Sequence, residues 1–424
     1  MGNGTPLTLG REMGRRKPQK QMVGKRSARL GIDVPLLLVV ITLLIFGLVM
    51  VYSASTDYSL VVLEKSPNYM FNRQLMWMVI GILLASFLVF INYHRWEFWS
   101  VPLMGLTIAG LVAVLVINEV INNATRTIFG GSVQPSELAK LMTVIYLSVW
   151  LYAKRDQLTD IHIGLIPLGM ILGVLGGLIV VQPDLSAATT IFILGGILFF
   201  LAGSDLRQIF ILLILGLVVG WLVFRVHPTG RERVDAYLAG LNDLTLAPAH
   251  LSRALEALVK GGWFGVGIGR ADTKLTGLPV PPTDSIFAVV GEETGIVGAS
   301  SLVLLYVMIL WRGLVISQRA PDGLGKLMAA GLSLWIAVEA FINMAVLVGL
   351  VPFAGNALPF ISAGGSNLVV SLAAVGILLN ISRMSAQSKE VEERAYDAVV
   401  DLRWRDGRRR VSRARRTSGA RTRK

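Results

Sequence analysis

The rest of the chain is organised around one polar stretch, KGGWFGVGIGRADTKLTGLPVPPTDSIFAVVGEETG, residues 260–295. Its glycines between residues 261 and 269 predict a flexible backbone that approaches its neighbours closely. Prolines between residues 279 and 282 then stiffen the chain, and Thr283 and Asp284 open an apolar segment that is predicted to be a helix. Asp284 is therefore predicted to lie where a loop meets a membrane helix, and we expect the chemistry there.

Composition places the chain among membrane proteins. Its 424 residues are 54% hydrophobic and only 16% charged, whereas soluble domains have about 25% charged residues. The sequence contains no cysteine, which excludes disulfides and thiolate metal sites. Its four histidines are scattered, which argues against a zinc site built from histidine.

The net charge of +13 is concentrated at the two ends of the chain. Residues 1–33 carry eight Lys and Arg against two acids, and residues 383–424 carry fourteen against six. A protein that binds nucleic acid would spread positive charge over a folded face, so we expect no nucleic-acid partner. The pattern instead predicts two cytoplasmic tails that lie near anionic membrane lipids.

The apolar runs predict an all-α polytopic membrane protein with about ten transmembrane helices. The predicted spans are 34–54, 74–92, 101–118, 138–153, 163–181, 187–203, 208–226, 286–311, 327–350 and 367–382. An even number places both basic tails on the cytoplasmic side, and the short basic loops agree with this orientation. The membrane domain is thus predicted to be 34–382. A large extracytoplasmic loop, 227–285, lies between spans seven and eight and includes a predicted short helix at 249–260.

Five polar clusters fall on the predicted outer side. They are QPSELAK (134–140), QPDLS (182–186), Arg231 and Arg233 with Asp235, Thr283–Asp284, and the Pro/Gly-rich loop 351–367. Each has a structural interpretation: a helix start, a turn with an Asp cap, solvated arginines, a helix cap and a connector. Five such clusters on one side of a membrane domain together predict a polar cavity that opens to the outer leaflet.

These motifs also carry a resemblance. VMVYSAS (49–55), QPSELAKL (134–141), QPDLS (182–186), GGWFGVGIG (261–269), LPVPPTDSIFAVVGEETG (278–295) and VPFAGNALPFISAGGS (351–366) follow one another in the family's order. The chain resembles the SEDS family (shape, elongation, division and sporulation), whose branches are FtsW, RodA and SpoVE. The long N-terminal tail and the VYSAS motif are most similar to the FtsW branch.

The resemblance implies a peptidoglycan glycosyltransferase in the bacterial cytoplasmic membrane, with both termini cytoplasmic. Such an enzyme polymerises lipid II, a disaccharide-pentapeptide on undecaprenyl diphosphate, into an undecaprenyl-linked glycan. The implied partners are a class B penicillin-binding transpeptidase and other membrane proteins of division or elongation. The family's catalytic carboxylate maps to Asp284, and its other polar positions map to Glu137, Lys140, Asp184, Arg231, Arg233, Lys274 and Ser366. The chain departs from the pattern at Val280 and Pro282, where Glu and His are usual, and at Glu339, where Gln is expected.

The chemistry supports the same assignment. Glycosyl transfer from a lipid diphosphate needs a base for the acceptor hydroxyl and positive charge for the departing diphosphate. Asp284 suits the first role, and attack opposite the leaving group would invert the anomeric centre. Arg231, Arg233 and Lys274 suit the second role. A divalent cation, Mg²⁺ or Mn²⁺, held at carboxylates that include Asp284 would add to this charge.

Two other classes of function stay open from the sequence. A flippase or transporter of lipid II would need polar groups along a path through the bilayer, and the only acids and lysines inside the predicted spans are Lys140, Glu292, Glu293 and Glu339. A non-catalytic scaffold would recruit division proteins through its basic tails. Polymerisation of lipid II by purified protein in detergent separates the enzyme from both.

The charge asymmetry generates a topology prediction. We expect a reporter fused near residue 245 to be extracytoplasmic, and reporters near residue 320 and at the C-terminus to be cytoplasmic. Paired alkaline phosphatase and fluorescent-protein fusions measure this. A cytoplasmic signal at residue 245 would contradict the whole map.

Overall fold

The structure, a computed structural model, describes residues 31–117, 134–226 and 228–417. Within these residues the chain consists of helices and connecting loops, with no β-strand. The predicted N-terminal tail, residues 1–33, lies almost wholly outside the described part. The all-helical fold predicted from the sequence is confirmed.

Twelve α-helices make up the described part of the chain. They are α1 (Val34–Asp57), α2 (Tyr69–Leu88), α3 (Arg95–Ile117), α4 (Pro135–Lys154), α5 (Leu165–Val181), α6 (Leu185–Leu201), α7 (Leu206–Val226), α8 (Pro228–Asn242), α9 (Ala249–Gly261), α10 (Ile286–Arg319), α11 (Gly323–Leu347) and α12 (Gly365–Thr417). A π-helical turn, Tyr58–Val62, extends α1. The short helix predicted at 249–260 is confirmed as α9.

Seven described helices are long and apolar enough to cross a membrane: α1, α2, α3, α7, α10, α11 and α12. Two more, α5 and α6, are apolar but have 17 residues each, and α4 carries three charged residues. Each of the ten predicted spans corresponds to one of these helices, while the count of ten spans stays a prediction. The apolar parts of α11 and α12 are mostly buried, whereas α7 is mostly exposed, so α11 and α12 lie at the centre of the bundle.

Glycines allow the central helices to approach each other closely. A Cβ atom on Gly47 of α1 would lie 2.4 Å from the carbonyl oxygen of Phe360, and one on Gly376 of α12 would lie 2.7 Å from that of Ala85 in α2. Small residues at such contacts favour close backbone packing in lipid. These contacts fix α1, α2 and α12 around the loop that follows α11.

Helix α10, which contains the predicted span 286–311, is interrupted at one residue that the sequence did not indicate. Gly295 has φ 67° and ψ −170° and interrupts the helix. Such a break frees backbone groups that need partners inside a membrane domain. The loop 262–267 supplies them. The amides of Val266 and Gly267 donate to the carbonyls of residues 292 and 293, and the amides of residues 296 and 297 donate to those of residues 262 and 263, at 2.9–3.2 Å.

The glycine-rich stretch is needed for this backbone pairing. A Cβ on Gly265 would lie 2.2 Å from the carbonyl oxygen of Glu293, and one on Gly261 would lie 2.1 Å from that of Gly291. Gly265 also has a φ of 80°, a backbone conformation that is unfavourable for L-residues with a side chain. The close-approaching backbone predicted from residues 261–269 is therefore confirmed, and its neighbour is α10.

Gly265→Ala is expected to destabilise the fold by roughly 3 kcal/mol or more, because it combines backbone strain with a clash against α10. Gly269→Ala is the matched control, since Gly269 also has positive φ (85°) but no heavy atom lies within 4 Å of its Cβ position. The control should lose only about 1–2 kcal/mol. Thermal unfolding of the purified proteins in detergent measures both, and equal losses would contradict the pairing with α10.

Candidate functional site

Asp284 lies just before α10, as the sequence predicted, and it is half-buried. The N-cap residue of α10 is Ser285, whose hydroxyl donates to the carbonyl of Pro279 at 2.7 Å. The helix-cap interpretation therefore does not apply to Asp284 itself. Its carboxylate faces the loop after α11, where a Cβ on Gly355 would lie 3.2 Å from Oδ2.

The backbone that carries Asp284 is held at three successive carbonyls. Asn343 Nδ2 of α11 donates to the carbonyl of Asp284 at 3.0 Å, Ser362 Oγ donates to that of Thr283 at 2.7 Å, and the amide of Ala363 donates to that of Pro282 at 2.8 Å. Three bonds on three consecutive peptides leave this segment little freedom. They fix the direction in which the Asp284 side chain leaves the backbone.

The loop 351–364 that supplies two of these bonds is itself anchored. Asn343 Nδ2 also donates to the carbonyl of Asn356 at 2.5 Å. Gln74 Nε2 of α2 donates to the carbonyl of Ser362 at 3.1 Å, and the hydroxyl of Tyr306 donates to that of Pro359 at 2.5 Å. Irregular backbone inside a membrane domain is tolerated where protein satisfies it, and here helices α2, α10 and α11 do so.

An aromatic and cationic layer lies beside Asp284. The imidazole of His250 stacks on the ring of Phe353, with centroids 4.0 Å apart. The guanidinium carbon of Arg233 lies 5.3 Å from the centroid of the same ring. The position that a Cβ atom on Gly355 would occupy lies within 3.9 Å of atoms of the Phe353 ring and 3.2 Å from the Asp284 carboxylate. Phe353 therefore lies next to both Arg233 and the Asp284 carboxylate.

His250 is neutral at physiological pH. Its burial, and then the nearby positive charge of Arg233, lower the pKa of His250 from 6.5 to about 4. Both effects disfavour the imidazolium form. The site therefore combines a carboxylate, a guanidinium and an uncharged imidazole.

The sequence did not identify His250, Phe353 or Asn343. No local pattern distinguishes His250 or Phe353 from other loop residues, because each acquires its neighbours from a distant part of the chain. Asn343 did have a signal, since it lies four residues after Glu339 in an otherwise apolar span and so shares its helix face.

The two remaining predicted diphosphate contacts lie elsewhere. Arg231 is 71% exposed and pairs with Asp235, one turn along α8, at 3.5 Å. Lys274 is buried, and its ammonium lies 3.0–3.1 Å from the carbonyls of Ser53 and Gly269, the Ser53 hydroxyl and the Glu293 carboxylate. These contacts attach the loop to α1 and α10, which gives Lys274 a structural role in this conformation. Diphosphate contacts by Arg231 and Lys274 stay predictions.

Asp184 joins two motifs that are distant in the sequence, and Ser366 attaches a third to them. Its Oδ2 accepts from Gln134 Nε2 at 3.0 Å and from Ser136 Oγ at 2.9 Å, while its Oδ1 caps α6 at the amide of Ala187, at 3.2 Å. The hydroxyl of Ser366 accepts from the amide of Gln134 at 3.0 Å. The turn with an Asp cap is confirmed, and both Asp184 and Ser366 hold helix ends together.

Glu137, Lys140 and Glu339 form a buried charged cluster between α4 and α11. Lys140 Nζ donates to Glu137 Oε1 at 2.9 Å and also to Glu339 Oε1. Asn367 Nδ2 of α12 donates to Glu137 Oε2 at 2.8 Å. Burial without partners would be costly for each charge, so their mutual contacts explain how they coexist. Glu339 of this cluster lies one helical turn before Asn343 in α11, and Asn343 donates the hydrogen bond to the Asp284 carbonyl.

The carboxylate and imidazole side chains of the described residues bear on whether a metal ion can be held. Among the residues that the structure describes, no group of three or more His, Cys, Asp or Glu side chains could hold a metal ion. Mg²⁺ commonly uses one or two carboxylates together with substrate phosphates. A divalent cation held with Asp284 stays a prediction.

A family model for cell cycle proteins, FtsW/RodA/SpoVE, matches residues 34–387. The chain belongs to the FtsW/RodA/SpoVE family. It is 38% identical over 359 residues to a probable peptidoglycan glycosyltransferase FtsW of Trichlorobacter lovleyi, covering 82% of this chain and 93% of that protein. It is 36% identical to stage V sporulation protein E of Bacillus subtilis, covering 82% and 97%.

Solved structures agree with this family membership. A chain of a peptidoglycan synthase complex, studied for how it coordinates polymerization and crosslinking, superimposes with a TM-score of 0.69 at 26% identity, covering 84% of this chain and 99% of that one. The rod shape determining protein RodA of Thermus thermophilus gives 0.60 at 25% identity, covering 83% and 97%. The predicted SEDS family and polytopic membrane fold are confirmed, while the choice of the FtsW branch stays a prediction.

The charged cluster generates a matched pair of expected outcomes for this family member. Lys140→Met would leave two buried carboxylates without their shared ammonium and should cost about 3–5 kcal/mol. Glu339→Gln keeps an oxygen that accepts from Lys140 and should fold and act nearly as the wild type. Thermal unfolding in detergent measures both. A loss by Glu339→Gln as large as that by Lys140→Met would show that the second carboxylate is itself required.

Proposed function

We propose that the chain is a peptidoglycan glycosyltransferase that polymerises lipid II into glycan strands, with Asp284 as its catalytic carboxylate. The observation that carries the proposal is the carboxylate of Asp284, half-buried on a backbone held at three carbonyls and lying beside Arg233, Phe353 and His250. The names of the relatives support the same activity.

Asp284 would remove the proton from the acceptor 4-hydroxyl as that oxygen attacks the anomeric carbon. A positioned base of this kind contributes roughly 10²–10⁴-fold to a rate. Its effect depends on geometry, because a carboxylate whose backbone is fixed meets the hydroxyl without first having to be ordered. The three hydrogen bonds to the carbonyls of residues 282–284 supply this fixation.

Arg233 would hold the diphosphate as it leaves. A guanidinium offers several N–H donors to phosphate oxygens, and these bonds strengthen as negative charge develops. The guanidinium carbon lies 5.3 Å from the centroid of the Phe353 ring, and the planar group offers paired donors to phosphate oxygens that a lysine ammonium does not. A divalent cation bound by Asp284 and the phosphates would supply further positive charge.

The biological setting follows from the family. We propose a role in septal wall synthesis at the bacterial cytoplasmic membrane, with both termini cytoplasmic and the basic tails near anionic lipids. A class B penicillin-binding transpeptidase is the proposed partner, since the similar synthase complex joins polymerization to crosslinking. Other division or elongation membrane proteins would complete the assembly.

A lipid II transporter receives less support from the geometry. The buried charged residues contact one another or backbone groups: Lys140 binds Glu137 and Glu339, and Lys274 binds Glu293. Charges engaged in this way join neighbouring helices and do not present a continuous polar surface to a passing substrate.

Asp284→Asn is the decisive substitution. It keeps the shape of the side chain but removes its charge and basicity, so we expect a folded protein that still binds its transpeptidase and makes almost no glycan. The reduction in polymerisation rate should be roughly 10²–10⁴-fold. Gel analysis of glycan made from lipid II by the purified complex, with transpeptidation blocked by penicillin, measures this.

Asp272→Asn is the control, because it makes the same chemical change on an exposed side chain of the preceding loop. It should polymerise at the wild-type rate. Near-normal glycan synthesis by Asp284→Asn, with an unchanged unfolding temperature for both variants, would refute the assignment of Asp284.

A further inference from the structure

The imidazole of His250 has a defined place next to the catalytic segment. Its Nδ1 lies 3.3 Å from the hydroxyl oxygen of Ser285, the residue that follows Asp284. Its ring stacks nearly parallel on Phe353, with 17° between the planes. His250 therefore touches two of the elements that surround the Asp284 carboxylate, although the proposed mechanism assigns it no task.

The hydrogen-bond network determines which ring nitrogen carries the proton. The hydroxyl of Ser285 has one hydrogen, and it donates this to the carbonyl of Pro279 at 2.7 Å. Toward His250 the hydroxyl can then only accept, so Nδ1 must be the donor. In a neutral imidazole with its proton on Nδ1, Nε2 is an acceptor with a lone pair.

The surroundings keep the ring in this neutral form. Burial and the charge of Arg233 lower the pKa of His250 to about 4, well below physiological pH. Nε2 is therefore an acceptor under working conditions. It can pair with a hydroxyl or an amide N–H, but it cannot pair with the oxygens of an ionised phosphate, which are themselves acceptors.

The position of the ring indicates where Nε2 points. The Nδ1 edge faces Ser285 at the start of α10, and one ring face covers Phe353. His250 is half-buried, so part of the residue stays accessible, and the edge that contains Nε2 is the ring edge that Ser285 does not occupy. Phe353 is shared with Arg233 and adjoins the Asp284 carboxylate, so this edge belongs to the same site.

We propose that His250 Nε2 accepts a hydrogen bond from a hydroxyl or amide N–H of the sugar portion of the lipid-linked substrate. This inference rests on the proposed glycosyltransferase function and deepens it by dividing the substrate between two side chains. Arg233, a donor, takes the anionic diphosphate. His250, an acceptor, takes the disaccharide, which carries several hydroxyls and acetamido N–H groups.

A purely structural role makes a different prediction. If His250 served only to attach α9 to α10, the important atom would be Nδ1, through its bond to Ser285. Two amide side chains separate these roles, since asparagine places a polar group near the position of Nδ1 and glutamine places one near that of Nε2. Phenylalanine keeps the stack on Phe353 and removes both nitrogens.

Binding of two probes to purified protein in detergent tests the proposal: fluorescent lipid II, and undecaprenyl diphosphate, which lacks the sugars. We expect His250→Gln to bind lipid II within about twofold of the wild type. His250→Asn and His250→Phe should bind it about three- to tenfold more weakly, the effect of one lost hydrogen bond. All three should bind undecaprenyl diphosphate as the wild type does, whereas Arg233→Gln should bind both probes more weakly.

Three results would overturn the proposal. Retention of lipid II binding by His250→Asn together with its loss in His250→Gln would show the structural role. An equal loss for both probes would show that the sugar is not the partner. Polymerisation is measured separately. If every His250 variant binds lipid II normally while Asp284→Asn is inactive, the His250 contact is rejected and the glycosyltransferase function is retained. If the His250 variants bind lipid II as expected but the wild-type protein does not polymerise it, the glycosyltransferase function is rejected and the contact is retained.

Discussion

The fold of the site depends on the pairing of two backbone segments at Gly295. A helix that stops and restarts inside a membrane domain leaves carbonyls and amides that lipid cannot satisfy. Here the loop 262–267 satisfies four of them, and it can do so only because Gly265 and Gly261 carry no side chain where they meet α10. The first part of α10 is thereby separated from the rest of the helix and becomes a short helical element with its own hydrogen-bond partners.

That separation explains how Asp284 has a fixed position although it lies outside a helix. The side chains of Glu292 and Glu293, at the end of the short element, bind Thr273, Lys274 and Ser53. At its start, Asn343 and Ser362 bind the carbonyls of residues 284 and 283. The segment is thus held at both ends, by α1 and a loop at one end and by α11 and a loop at the other, and these contacts fix the position of Asp284.

The sequence was sufficient for the helices and for the position of Asp284, because apolar runs, Pro/Gly punctuation and charge asymmetry are local signals. It also identified Arg233, though it did not separate Arg233 from Arg231, since only the fold decides which arginine meets Phe353. The break at Gly295 was missed because residues 286–311 read as one apolar helix. His250 and Asn343 could not be assigned a role, since their partners come from distant segments and only tertiary packing brings them together.

The distribution of burial separates the polar residues into two groups. Glu137, Lys140, Asp184 and Glu339 are buried and form hydrogen bonds that join one helix or helix end to another. Asp284, Arg233 and His250 are only half-buried, and they surround Phe353 and Gly355. Groups that hold a bundle together gain most from full burial, whereas groups that meet a substrate must keep one side open. This criterion supports the proposal that the reacting end of the substrate lies at Phe353, where the buried charges around it contribute through the rigidity they give to α4, α10 and α11.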